Sequence, residues 1–369
     1  MIKSFHINNY RNIRDLSFKN LSRVNLFAGR NNTGKSTLLE AVYIFTTKAN
    51  INNIYQLLEE RGDNINQKTP NKCTFESNLD SLSSLFYNRE VKYNKSEIRF
   101  IATNENNENS SVALQIIAYN EKRNNLNQGI ILERIKLEEP KINNYHRVGF
   151  EIIINDIDYI NFPIDQGNPY RYGVHSNIAI PQNIQFIRTR NIDRDGNGKL
   201  WDNITLTEKE KYVIEALQII EKSTERINFV DNENKERSAV IKLNGDETVY
   251  PLKSMGDGIN RILSIILALV NSEGGYLLID EFENGLHFSI QDKIWEIIFK
   301  LSQKLNIQVF ITTHSDDCIK SFSRVMSKLN CNDLFGKLFR LDEENGDIVH
   351  VDYDQNELKI AFENNIEVR

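Results

Sequence analysis

The chain has 369 residues, a formal net charge of −6 and 40% hydrophobic residues. That length supports a large core, and the acidic balance lacks the overall basic footprint usual in nucleic-acid proteins, leaving only a local basic groove open. Cys73, Cys318 and Cys331 have neither metal spacing nor a pairing logic, so they read as thiols of a reducing compartment.

The segment Met1 to His6 has no signal-peptide h-region, and the longest apolar run, Ile262 to Val270, is interrupted at Ser264 and too short to cross a bilayer. The expectation is a cytoplasmic protein with no membrane partner. The first strands fall at Ile2 to Ile7, Asp15 to Phe18 and Val24 to Phe27. The last enters Gly29-Arg30-Asn31-Asn32-Thr33-Gly34-Lys35-Ser36-Thr37, which fits G-x-x-x-x-G-K-[ST]. An apolar helix to about Phe45 follows, and strand–loop–helix is the context this phosphate-binding loop requires. Its two glycines let backbone N–H groups turn toward an anion, and the helix N-terminus adds partial positive charge. Lys35 then reaches the β- and γ-phosphates of ATP, and the Ser36 hydroxyl ligates Mg²⁺.

Residues 46–95 are polar, with one helix near Ile54 to Glu60. From 96 to 162, β-branched and aromatic residues at period two place strands at Ile98 to Ile101, Val112 to Tyr119, Ile130 to Leu137 and Val148 to Tyr159. Asn-rich turns at Asn104 to Asn109 and Asn124 to Gln128 separate them. A short strand, Ile184 to Ile187, ends at Arg188-Thr189-Arg190. The stretch Asp193 to Gly198 resembles a calcium loop but lacks the closing Glu, so it reads as a flexible turn. A helix from Thr207 to Glu221 opens on the capping box Thr207-Glu208-Lys209-Glu210. Three short strands follow, at Ile227 to Val230, Ala239 to Leu243 and Thr248 to Pro251.

The C-terminal third carries the remaining chemistry. Ser254-Met255-Gly256-Asp257-Gly258 precedes an apolar helix, Ile259 to Val270, so small residues at a helix N-terminus make a second anion site. Leu277-Leu278-Ile279-Asp280-Glu281 is a buried strand ending in two acids. Asp280 would hold Mg²⁺ beside Ser36, and Glu281 would orient the attacking water. After a helix at Gln291 to Leu305, the strand Ile307 to Thr312 delivers His314 at its C-terminal end, where ligands of α/β sheets collect. A hairpin around Asn345-Gly346 and a short helix complete the chain.

The order phosphate loop, Ser-x-Gly-x-Gly, Asp-Glu, histidine resembles the ABC-type ATPases. Asn31, Asn9-Tyr10-Arg11 and Asp280-Glu281-Phe282-Glu283-Asn284-Gly285-Leu286-His287 are similar to the SMC/RecF/OLD branch, and within it to the compact AriA-like ATPases of PARIS antiphage modules. The resemblance implies an α/β P-loop NTPase of ABC-ATPase type, with an antiparallel β-layer and a helical signature subdomain. It implies units at 1–48, 49–182, 183–258 and 259–369. It also implies that two heads sandwich ATP as a homodimer or higher homo-oligomer. Ser254, Gly256 and Gly258 then close on the partner's nucleotide, Glu283 to His287 forms the D-loop, Arg11 lies near the nucleotide, and a Q-loop falls near Gln182 to Arg190. Asn32 replaces a glycine common in the branch, and Leu-Ser-Gly-Gly-Gln is missing. No long coiled-coil insertion is present, and the tail after His314 is too short for a Toprim domain. A nuclease effector would therefore be a separate protein. The leading expectation is a dimerisation switch in antiphage defence. A RecF-like DNA-maintenance ATPase and an ATP-stapled scaffold are the alternatives.

Overall fold

The computed structural model describes residues 1–63, 65, 72–126, 129–137, 147–164, 183–189, 194–231, 237–329, 335–363 and 368. In chain order the strands and helices are β1 (Ile2–Tyr10), β2 (Ile13–Phe18), β3 (Val24–Gly29), α1 (Lys35–Thr46), α2 (Ile51–Glu60), α3 (Lys72–Ser83), β4 (Glu97–Asn104), β5 (Asn109–Leu126), β6 (Gly129–Lys136), β7 (Arg147–Ile154), β8 (Asp158–Pro163) and β9 (Ile184–Ile187). They continue as α4 (Arg194–Asp202), α5 (Glu210–Ile220), β10 (Thr224–Asp231), β11 (Arg237–Leu243), β12 (Val249–Pro251), α6 (Asp257–Asn271), β13 (Tyr276–Ile279), α7 (Phe288–Lys304), β14 (Gln308–Thr313), α8 (Asp316–Lys328), β15 (Gly336–Glu344), β16 (Asp347–Tyr353) and α9 (Gln355–Glu363).

The central sheet has the order β16-β15-β3-β14-β13-β9, parallel except for β16, which pairs antiparallel with β15 at the edge. Every residue of β3 is buried, as a strand covered on both faces must be. Period two divides its side chains. Val24, Leu26 and Ala28 join the cluster formed with α6, α7 and α8. Phe27 turns the other way, with Phe310 and Phe339, into the cluster shared by α1 and the antiparallel sheet. The Phe27 ring lies 5.2 Å from Phe339 and 5.4 Å from Phe18. The chain thus forms helix, parallel-sheet and antiparallel-sheet layers.

The antiparallel sheet runs β2-β1-β4-β5-β7-β8, with β6 beside β5. Here β1 pairs directly with β4, so a boundary at 48/49 cuts through one sheet. Likewise β9 pairs with β13 in the central sheet rather than standing with the signature region.

Three local expectations are corrected. The strand expected from Val148 to Tyr159 is a hairpin, β7 and β8, because Asn155 and Asp156 take φ of 52° and 57°, the double left-handed step of a type I′ turn. The glycine-rich stretch through Gly198 is not a loop, since α4 begins at Arg194; Asp193 lies outside the described residues. The helix expected from Thr207 starts at Glu210. Its capping-box side chains serve the turn before it: Thr207 Oγ1 accepts from Lys209 N–H at 3.2 Å, and Glu210 Oε2 accepts from Leu206 N–H at 3.1 Å.

Candidate active site

The phosphate loop joins the C-terminal end of β3 to α1, and its backbone is fixed by the hairpin β15–β16. A Cβ at Gly29 (φ 153°) would meet the Leu341 carbonyl oxygen at 2.5 Å. A Cβ at Gly34 (φ 81°) would meet Ile348 Cδ1 at 2.4 Å. Asn32 takes φ 67°, the left-handed conformation that Asn tolerates better than most residues. Lys35 Nζ donates to the carbonyls of Gly29 at 2.8 Å and Arg30 at 2.6 Å. Burial pulls the Lys35 ammonium below the usual lysine range, opposed by Asp280, Glu283 and Glu281.

The second half of the site comes from the ends of β13 and β14. Ser36 Oγ donates to Asp280 Oδ1 at 3.1 Å, so the two expected metal ligands are brought together across 244 residues of chain. Thr312 Oγ1 donates to the same oxygen at 2.6 Å, and Thr189 Oγ1 approaches Oδ2 at 3.4 Å. A hard cation flanked by one hydroxyl and one carboxylate, with phosphate and water oxygens completing its shell, is the usual Mg²⁺ arrangement, so the donor set fits. Glu281 begins the next turn at φ 48°, with its N–H donated to Thr312 Oγ1 at 2.9 Å. A left-handed glutamate costs on the order of 1–3 kcal/mol, a cost typically found where geometry serves function.

Two adjoining cavities of about 650 and 890 Å³ open on these groups. The first is lined by Asn31, Asn32, Gly34, Lys35, Ser36 and Thr37, with Arg11, Asp280 and Glu281. Ser254, Gly256, Gly258 and His314 line neither cavity. Ser254 and Gly256 are exposed, on the 3₁₀ turn and N-cap that lead into α6, and a Cβ at Gly258 would meet the Gly285 carbonyl oxygen at 3.3 Å. His314 sits just beyond β14, 47% exposed, with its Nδ1 2.9 Å from Glu283 Oε1. Glu283 also accepts from the His314 N–H at 2.7 Å and from Thr313 Oγ1 at 2.7 Å. Gln182 and Arg190, the bounds of the expected Q-loop, lie outside the described residues. Between them, Thr189 does reach Asp280, while Arg188 pairs with Glu60 and lies over the rings of Phe186 and Tyr43.

Several contributors escape a reading of the sequence. Glu40, on α1 one turn after Ser36, is a buried carboxylate bound by Arg11 Nε at 2.9 Å, Arg61 Nη2 at 2.7 Å and the Tyr10 hydroxyl at 3.1 Å. Burial pulls the Arg11 guanidinium down, but Tyr10 and Glu40 outweigh it and raise it overall. Burial is also what raises the Tyr10 phenol. The i,i+4 spacing from Ser36 was the only available signal for Glu40. Arg261 on α6 is 2% exposed and donates to the backbone carbonyls of Asp280 at 3.2 Å and Arg188 at 3.5 Å. It ties the helix behind the Ser254 turn to the end of β13. A single cation inside an apolar helix was visible in the sequence, but its target was not.

Residues 24–317 match the family described as "AAA domain, putative AbiEii toxin, Type IV TA system". A Helicobacter pylori protein named ATP/GTP phosphatase is 27% identical over 402 aligned positions, covering 99% of this chain and 98% of that protein. Among solved structures, the SMC head bound to the C-winged helix domain of ScpA aligns with a TM-score of 0.50 at 12% identity, covering 96% of this chain and 98% of that one. An SMC head domain from Thermotoga maritima aligns at 0.47 and 10% identity, over 95% of this chain and 98% of that one. The alignment at 0.50 shows the fold: the mixed α/β architecture of an SMC ATPase head.

Proposed function

The chain belongs to this AAA family, and we propose that it is an Mg²⁺-dependent ATPase whose site is completed by a second copy of the same chain. The observation that carries the reading is the Ser36–Asp280 hydrogen bond with Glu281 facing the same cavity. Gly29 to Thr37 wraps the phosphates of ATP with backbone N–H groups, and Lys35 exchanges its carbonyl partners for phosphate oxygens. Ser36 and Asp280 would hold Mg²⁺, which would supply neutralisation of the negative charge that develops on the phosphate oxygens. Glu281 orients the attacking water and takes up its proton. His314, held by Glu283 just beyond β14, would hydrogen-bond the γ-phosphate or the attacking water once a partner chain closes the site.

Ser254, Gly256 and Gly258 lie outside their own chain's cavities, and the role that fits them is closure over the partner's γ-phosphate. Nucleotide state then reports whether two chains are joined. We assign the output to control of a separate effector, a Toprim-type nuclease being the class that fits, within antiphage defence. Glu281→Gln is expected to bind ATP, lose turnover and accumulate as a stable dimer in light-scattering chromatography. A variant that stays monomeric with ATP bound and hydrolyses normally would overturn the mechanism.

A further inference from the structure

Seven residues line both cavities and mark their junction: Ser36, Asp280 and Glu281, the arginines Arg11, Arg61 and Arg89, and Ser84. The first three mark the end of the site where the metal and the γ-phosphate of a loop-bound triphosphate meet. The three arginines that share this junction are held differently. Arg11 and Arg61 grip the buried Glu40 at 2.7–2.9 Å. Arg89 is 53% exposed, and its two ion pairs are long, 3.4 Å to Asp63 and 3.6 Å to Asp80. Charge-assisted bonds normally close to about 2.7–2.9 Å, so neither carboxylate holds Arg89 firmly.

Its backbone, in contrast, is fixed. Arg11 N–H donates to the Leu85 carbonyl at 2.8 Å, and Tyr10 forms an isolated antiparallel bridge with Phe86. Leu85 and Phe86 are fully buried. From that anchor, Asn88 and Arg89 take φ of 54° and 57°, two successive left-handed residues, and Arg89 lines both cavities. A rigid base with a loosely held guanidinium, lining the same cavities as Ser36, Asp280 and Glu281, suits a group that changes partners.

We propose that Arg89 is a phosphate ligand supplied by the same chain, which leaves Asp63 and Asp80 for the γ-phosphate and so distinguishes a nucleoside triphosphate from a diphosphate. The exchange frees Asp63, just beyond α2, and Asp80, on α3, so the two helices beside the site register the terminal phosphate. This rests on the reading that nucleotide occupies Gly29 to Thr37.

The test is calorimetric titration of Mg²⁺ with ADP and with a non-hydrolysable ATP analogue. Arg89→Ala is expected to weaken the triphosphate by about tenfold or more while ADP shifts by less than about twofold, with Arg89→Lys between. Asp80→Asn removes a competing partner from an exposed position, so triphosphate affinity rises and ADP affinity does not change. Equal losses of both nucleotides in Arg89→Ala, or no loss of either, would overturn the proposal, as would an unaltered triphosphate affinity in Asp80→Asn. Lys35→Ala separates the underlying reading: if it binds both nucleotides like the wild type, the nucleotide does not occupy the loop.

Discussion

The phosphate-loop face of this molecule and the face that carries Ser254 are built differently. The phosphate-loop face is closed by its own chain: β15 and β16 press on Gly29 and Gly34, Thr312 and Thr189 hold Asp280, and Glu40 locks Arg11 and Arg61. The face carrying Ser254 and Gly256 is exposed and lines neither cavity. Ser254 Oγ is turned onto the Pro251 carbonyl at 2.7 Å. A preorganised face needs its internal partners to work, whereas an open face loses function without losing stability. That contrast is what the proposed completion by a second chain requires.

Breaking the closed face has the largest effects. Lys35→Ala removes the cation buried among the loop carbonyls, and ATP affinity should fall by at least about a hundredfold by calorimetry. Glu40→Ala leaves Arg11, and with it Arg61, without their carboxylate, and should cost on the order of 3–5 kcal/mol in urea unfolding. Thr312→Val takes away both a donor to Asp280 and the acceptor for Glu281 N–H; about 1–3 kcal/mol of stability should go, with kcat falling alongside. The open face should behave otherwise. Ser254→Ala should change stability by no more than about 0.5 kcal/mol yet lower turnover, which equal losses of both would contradict. Smallest of all, Arg324→Ala on α8 removes an exposed pair with Asp292 and should cost at most about 1 kcal/mol, with turnover intact.

The chemistry legible in the sequence was local chemistry. A phosphate loop is contiguous, and so is an apolar strand ending in Asp280 and Glu281, so both could be placed on elements before any coordinates. Period two marked the strands of the antiparallel sheet, because a half-buried strand writes its faces into alternate positions, while the central strands stood out as continuous apolar runs. What stayed hidden depends on distant pairing. Nothing near Glu40 announces Arg61, and nothing near Gly34 announces Ile348 from the far end of the chain. The β7–β8 turn was missed because Asn155-Asp156 carries no glycine, although both residues tolerate the left-handed region. The α4 helix was missed because Gly196 and Gly198 read as loop residues, while tertiary packing against Arg237 and α6 outweighs that propensity.

The most direct measurement concerns completion of the site by a second chain. Lys35→Ala disables the loop and Ser254→Arg blocks the open face, so each variant alone should be inactive. In a head-to-tail dimer, half of an equal mixture is heterodimer, and each heterodimer retains one intact site formed by the unaltered loop of one chain and the unaltered Ser254 of the other. Mixing the two should restore ATP turnover to about a quarter of the wild-type rate per chain. Full activity in Ser254→Arg alone, or a mixture as inactive as its components, would contradict the account.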